Sequence, residues 1–110
     1  MPKTVQCPVY PGSVTFADPM LTAQALAWEK GLTELQGASD ITRSDLDRIM
    51  LPAIFANIEA WNVTIPGLSV VDADHFPASP RKKISELVSW LIEQISGVYV
   101  GSGDVDDPNA

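Results

Sequence analysis

Apolar and polar positions change their period several times along this chain, and each change marks an element. Over residues 3–17 the apolar positions alternate, first Val5, Cys7 and Val9, then Val14 and Phe16, with Pro11 and Gly12 between the two sets. Alternation on both sides of a Pro-Gly turn predicts a short β-hairpin. Pro8 lacks the N–H a central strand needs, so its strand is an edge or irregular. Such a ribbon is marginal alone and must pack on helices. The period then lengthens: Leu21, Ala25, Trp28, Leu32 and Leu35 recur at helical spacing and form a single stripe. Thr22 or Asp18 is the candidate cap, Gly37 is the stop, and residues 38–43 form a polar connection.

A second helix is predicted from Ser44, where Asp47 three residues later completes a capping-box-like pair and Asp45 adds negative charge to the first turn. Leu46, Ile49, Met50, Ala53, Ile54, Phe55, Ile58 and Trp61 carry the helical reading as far as Trp61. Pro52 falls inside this pattern and predicts a kink, or two short helices meeting at Leu51. Residues 62–79 are rich in Pro, Gly and Asp, with an extended piece at 68–71. A connector that long in a compact domain is functional or packed. The third helix starts with Ser79 as cap and Pro80 in the first position. Its stripe is Ile84, Leu87, Leu91, Ile95 and Val98, and Gly97 or Gly101 ends it. Val88, Trp90 and Ile92 lie off that stripe, and a helix apolar on two sides needs cover on two sides.

These elements predict an α+β fold that is mainly α, a hairpin packed on three helices. With 110 residues there is material for one core. The domain is expected over residues 1–100, followed by a flexible acidic tail over 101–110, where Asp and Gly predominate and little can be buried.

Charge narrows the partners. Seven basic residues stand against fourteen acidic ones, for a net charge of −7. That balance argues against nucleic acid or an anionic membrane, since cations drive binding to phosphate. Three of the seven cations, Arg81, Lys82 and Lys83, nevertheless sit together at the start of the third helix, the end that favours anions. Lys82 and Lys83 are in helical reach of Glu86, which offsets part of the cost. The cluster is a candidate anchor for an acidic surface. No apolar run reaches the roughly 20 residues of a membrane span, and the N-terminal residues lack a signal-peptide pattern. With a single cysteine, no internal disulfide forms, and a soluble protein of a reducing cytoplasm is expected.

Candidate chemistry is sparse. Asp72, Asp74 and His75 lie close together, but one histidine without a second is a weak metal or acid-base signal, and an acidic solvated loop explains them. Cys7 alternates with apolar residues and reads as a small buried thiol. No nucleophile elbow or catalytic cysteine pattern is present. No catalytic residue, metal, cofactor or small-molecule substrate is expected. The apolar surplus points instead to self-association or to a groove for a partner's helix. Trp61, Phe76 and Trp90, with Arg81, Lys82 and Lys83, are the candidate partner-binding residues.

The order of "PGSVTFADPMLTAQALAWEKGL", "IEAWNV", "IPGLSV", "FPASPR", "ELVSWLIEQISGVY" and a closing "DPN" resembles the small tail assembly chaperones of long-tailed bacteriophages of the siphovirus type, or the proteins encoded in their place. The likeness spans nearly the whole chain. It implies a non-enzymatic protein of the bacterial host cytoplasm that holds the helical tape measure protein soluble until tail tube subunits polymerise around it. It also implies a homo-oligomer, a short form beside a frameshifted longer one, and the tail tube protein as a second partner. Two other functions fit the chain: a small acidic inhibitor of a host nucleic-acid enzyme, and a minor structural tail protein.

Overall fold

The computed structural model describes residues 2–37 and 42–105. Strand β1 (Lys3–Gln6) and strand β2 (Gly12–Phe16) form the expected hairpin, with Val5 opposite Val14 and Lys3 opposite Phe16. A third strand, β3 (Ile58–Val63), pairs antiparallel with the other side of β2, giving the order β1-β2-β3. Helices α1 (Thr22–Gly37), α2 (Arg43–Ala56) and α3 (Arg81–Val105) contribute 16, 14 and 25 residues, against four, five and six in the strands. The fold is therefore α+β and mainly α.

Strand β3 corrects the expectation that the second helix runs to Trp61. Ile54, Ile58 and Trp61 fit a helical spacing, while Trp61, Val63 and Ile65 fit a strand; short apolar runs carry both periods. Asn57 decides between them. It is the C-cap of α2, its backbone N–H bonding back to Ile54 and Phe55. Its side-chain amide donates to the carbonyls of Ala53 (3.0 Å) and Gln24 (3.2 Å), and its own carbonyl accepts from Ala17 N–H at 3.0 Å. One buried residue thus ends α2, ties it to α1 and delivers the chain to the edge of β2. The pairing is close: a Cβ on Gly12, whose φ is +122°, would lie 2.0 Å from the Asn62 carbonyl oxygen. Only glycine fits there.

Helix starts also differ from the expected caps. At α1 neither Thr22 nor Asp18 caps; Leu21 holds the position, its carbonyl accepting from Ala25 and its N–H donating to the Gln24 side chain at 2.9 Å. Leu21 consequently leaves the predicted stripe and is 66% exposed. Helix α2 begins earlier than expected, with a reciprocal capping box between Thr42 and Asp45. The side chains of Ser44 and Asp47, the expected pair, and residues 38–41 of the connection lie outside the described residues. The earlier start adds residues to the helix and lets Asp45 pair with Arg48 at 3.2 Å. Pro52 does not divide α2. It lies on the exposed side, where a carbonyl without its helical donor is open to water.

The core joins the sheet's inner face, Val14 and Phe16, to Trp28 of α1, Met50 and Ile54 of α2, and the stripe Ile84, Leu87, Leu91, Ile95 and Val98 of α3. Gly31 lets α1 and α2 approach: a Cβ there would lie 3.1 Å from Ala53 Cβ. The hydroxyl of Tyr99 on α3 donates to Glu29 on α1 at 2.6 Å. Helix α3 passes both expected stops, Gly97 and Gly101, and reaches Val105. Burying Val98 beyond Gly97 outweighs the roughly 1 kcal/mol that a glycine costs a helix. Residues 101–105, the first part of the expected tail, continue the helix, and residues 106–110 lie outside the described part. No helix among the described residues is long and apolar enough to cross a membrane.

Candidate functional site

The six residues singled out by sequence divide among three places. Trp61 and Phe76 come together, with ring centroids 6.5 Å apart, and Phe55 completes the group at 5.5 Å from Trp61 and 6.0 Å from Phe76. Phe55 comes from the end of α2, Trp61 from β3 and Phe76 from the connector between β3 and α3. All three rings are partly exposed. The Trp61 indole N–H donates to the Val63 carbonyl at 3.0 Å, which fixes the ring along its own strand. Phe55 was not among the sequence candidates, because its place in a helical run read as core.

Trp90 is elsewhere. Its ring meets Phe16 of β2 edge-on at 5.8 Å. Val88 is 1% exposed and Ile92 is partly buried, so the second apolar side of α3 finds cover inside the molecule. Phe16 of β2 and the core cluster supply this cover, while Trp90 and Ile92 stay partly exposed. What remains outside is a shallow groove beside Trp90, rimmed by Ser85, Glu86, Ser89 and Glu93.

The cations form the third place. Pro80 supplies the carbonyl that accepts the first helical bond, from Ile84 at 3.0 Å, so the cap is one residue later than the expected Ser79. Arg81, Lys82 and Lys83 thus fill the first turn of α3, and no acidic residue shares it. The expected pairing with Glu86 is not made. Lys83 turns the other way and places Nζ over the Tyr10 ring, 5.4 Å from its centroid. Lys82 forms no ion pair among the described residues. Beside them lies a depression of about 270 Å³ walled by Tyr10, Ile65, Pro66, Pro77, Pro80 and Lys83. Nothing in the sequence pairs Tyr10 with a lysine so far along the chain.

The connector links the aromatic group to this depression. Phe76 belongs to the first, and Pro77 and Pro80 to the second. Earlier in the connector, the Asp72 carboxylate accepts from the backbone N–H groups of Asp74 (2.9 Å) and His75 (2.8 Å) and meets His75 Nδ1 at 2.9 Å. The His75 contact, followed by these backbone bonds, holds the Asp72 carboxyl below its usual range. The loop expected to be solvated and acidic is held by these hydrogen bonds, with Asp74 and His75 exposed. His75 is exposed, whereas Cys7 lies in the core cluster, so the two belong to different environments. No group of three metal-ligating side chains occurs among the described residues.

No protein-family model, curated protein or solved structure matches this chain. Function must therefore be argued from the surfaces themselves.

Proposed function

We propose that the chain is a non-enzymatic tail assembly chaperone of a long-tailed bacteriophage, acting in the host cytoplasm to hold helical segments of the tape measure protein soluble. The observation that supports this is the group Phe55, Trp61 and Phe76: three aromatic rings clustered at the margin of the core and still partly exposed. Their centroids lie 5.5 to 6.5 Å apart in a compact triangle, a patch against which an apolar anchor of an amphipathic helix can seat. The net charge of −7 disfavours aggregation of a complex carrying many copies.

The test is co-expression with the tape measure protein. The wild-type chain is expected to keep that protein in the soluble fraction and to co-purify with it, and to be missing from mature particles by mass spectrometry. Trp61→Ala together with Phe76→Ala should cut recovery of the complex at least tenfold while the variant stays folded by circular dichroism. Equal recovery with the double variant would remove the aromatic group from the reading. A wild-type chain that solubilised nothing would remove the reading itself, and presence in the mature particle would make the chain a structural tail component.

A further inference from the structure

The cations at the entry of α3 have a matching set of charges at the other end of the same helix. Arg81, Lys82 and Lys83 are the densest basic run in the chain, and Asp104, Asp106 and Asp107 are the densest acidic one. The two runs cannot meet within one molecule. Helix α3 spans Arg81–Val105, 25 residues, and so separates its ends by about 36 Å at 1.5 Å per residue. Asp106 and Asp107 directly follow Val105, within about 7 Å of chain.

We propose that the C-terminal acidic segment of one copy docks on the cationic α3 entry of the next, joining copies head to tail. Three features of the receiving end fit that occupant. It offers two exposed lysines, Lys82 and Lys83, in a first turn without any carboxylate. The first-turn N–H groups of a long helix add positive potential, and the arriving end of another α3 carries the opposite dipole, so the two helices attract end to end. The depression of about 270 Å³ there is walled mostly by apolar side chains, Tyr10, Ile65 and Pro80 among them, and the incoming segment carries Val105 and Pro108 among its aspartates. Such a contact uses different surfaces on the two copies. It therefore grows into a ring or an open chain rather than a closed twofold dimer. The aromatic group of each copy takes no part in it, so the inference stands apart from the partner proposed above.

Sedimentation velocity of the full chain over a range of concentrations tests this. The wild type is expected to show mass rising with concentration at low salt, and to lose that rise in roughly 0.5 M salt, where surface charges are screened within a few ångströms. Two variants separate the two ends: Lys82→Glu with Lys83→Glu, and Asp104→Lys with Asp106→Lys and Asp107→Lys. Each alone should sediment as a monomer. Mixed in equal amounts they should associate again, because each acidic end now faces a basic one. Association that survived in both variants would overturn the proposal in favour of an apolar interface. Loss in the lysine variant alone would overturn the tail as occupant and assign the entry to another acidic surface. A wild type that stays monomeric at several hundred micromolar would overturn the proposal altogether.

Discussion

Lys82 and Lys83 are neighbours on α3 with different surroundings. Lys83 lies over the Tyr10 ring, a contact worth about 0.5–1 kcal/mol at an exposed site, which offsets what the helix dipole costs it. Lys82 is exposed and without an ion pair among the described residues, so its cost stands uncompensated. The single substitution Lys82→Glu should therefore stabilise the isolated molecule by about 0.3–1 kcal/mol. Urea denaturation at low protein concentration measures this, and a lower midpoint would show that Lys82 has a stabilising partner. Asn57 is the opposite case. Its amide nitrogen is fully used, while Oδ1 is buried with no partner among the described residues. The joint between α2 and β3 carries that cost because one residue supplies both the cap and the tie to α1.

Elements here start where backbone groups find partners, which moves each of the three helix entries by a residue or two from a cap expected from sequence, to Leu21, Thr42 and Pro80. Thr42 and Asp45 cap α2 reciprocally, at 3.1 and 3.4 Å. Thr42→Ala should lower stability by about 0.5–2 kcal/mol without changing the fold, read from the urea midpoint. An unchanged midpoint would place the effective cap elsewhere. Helix α3 shows the reverse balance. It has no acidic residue in its first turn and three glycines within its length, yet a buried stripe makes it the longest element. Packing against the sheet outweighs weak local signals, as is general for helices in folded domains.

For the whole molecule, three exposed hydrogen-bonded pairs make stability depend on pH. The Asp45 carboxyl is held below its ordinary value, first by the Arg48 hydrogen bond, and Asp72 first by the His75 hydrogen bond. A lowered carboxylate contributes stability that is present above its unfolded value of 3.8 and is lost as pH falls through the folded one. Tyr99 is raised above 10.0, first by its hydrogen bond to Glu29, so its contribution is present below that value and lost as pH rises through the folded one. The denaturation midpoint should be flat from about pH 5 to about pH 9 and fall on both sides. Tyr99→Phe should make the alkaline fall shallower, and Asp72→Asn the acid one. An alkaline limb unchanged by Tyr99→Phe would show that the bridge between α1 and α3 does not form in solution.

By itself the sequence determined the hairpin, the three helices and the core stripe of α3, because those rest on the period of apolar positions and on local turn chemistry. Val5, Val14 and Phe16, then Ile84 to Val98 at helical steps, carry that information within a few residues of one another. Tertiary structure alone decided the rest. Ile58 to Val63 fits two periods, and only pairing with β2 makes it a strand. That strand places Trp61 beside Phe55 and Phe76, while Phe16 of the hairpin meets Trp90. The Tyr10 ring beneath Lys83 belongs to the same kind of information. Contacts between residues far apart in the chain depend on which edges and faces remain unpaired after every local element has formed, and no local pattern encodes that.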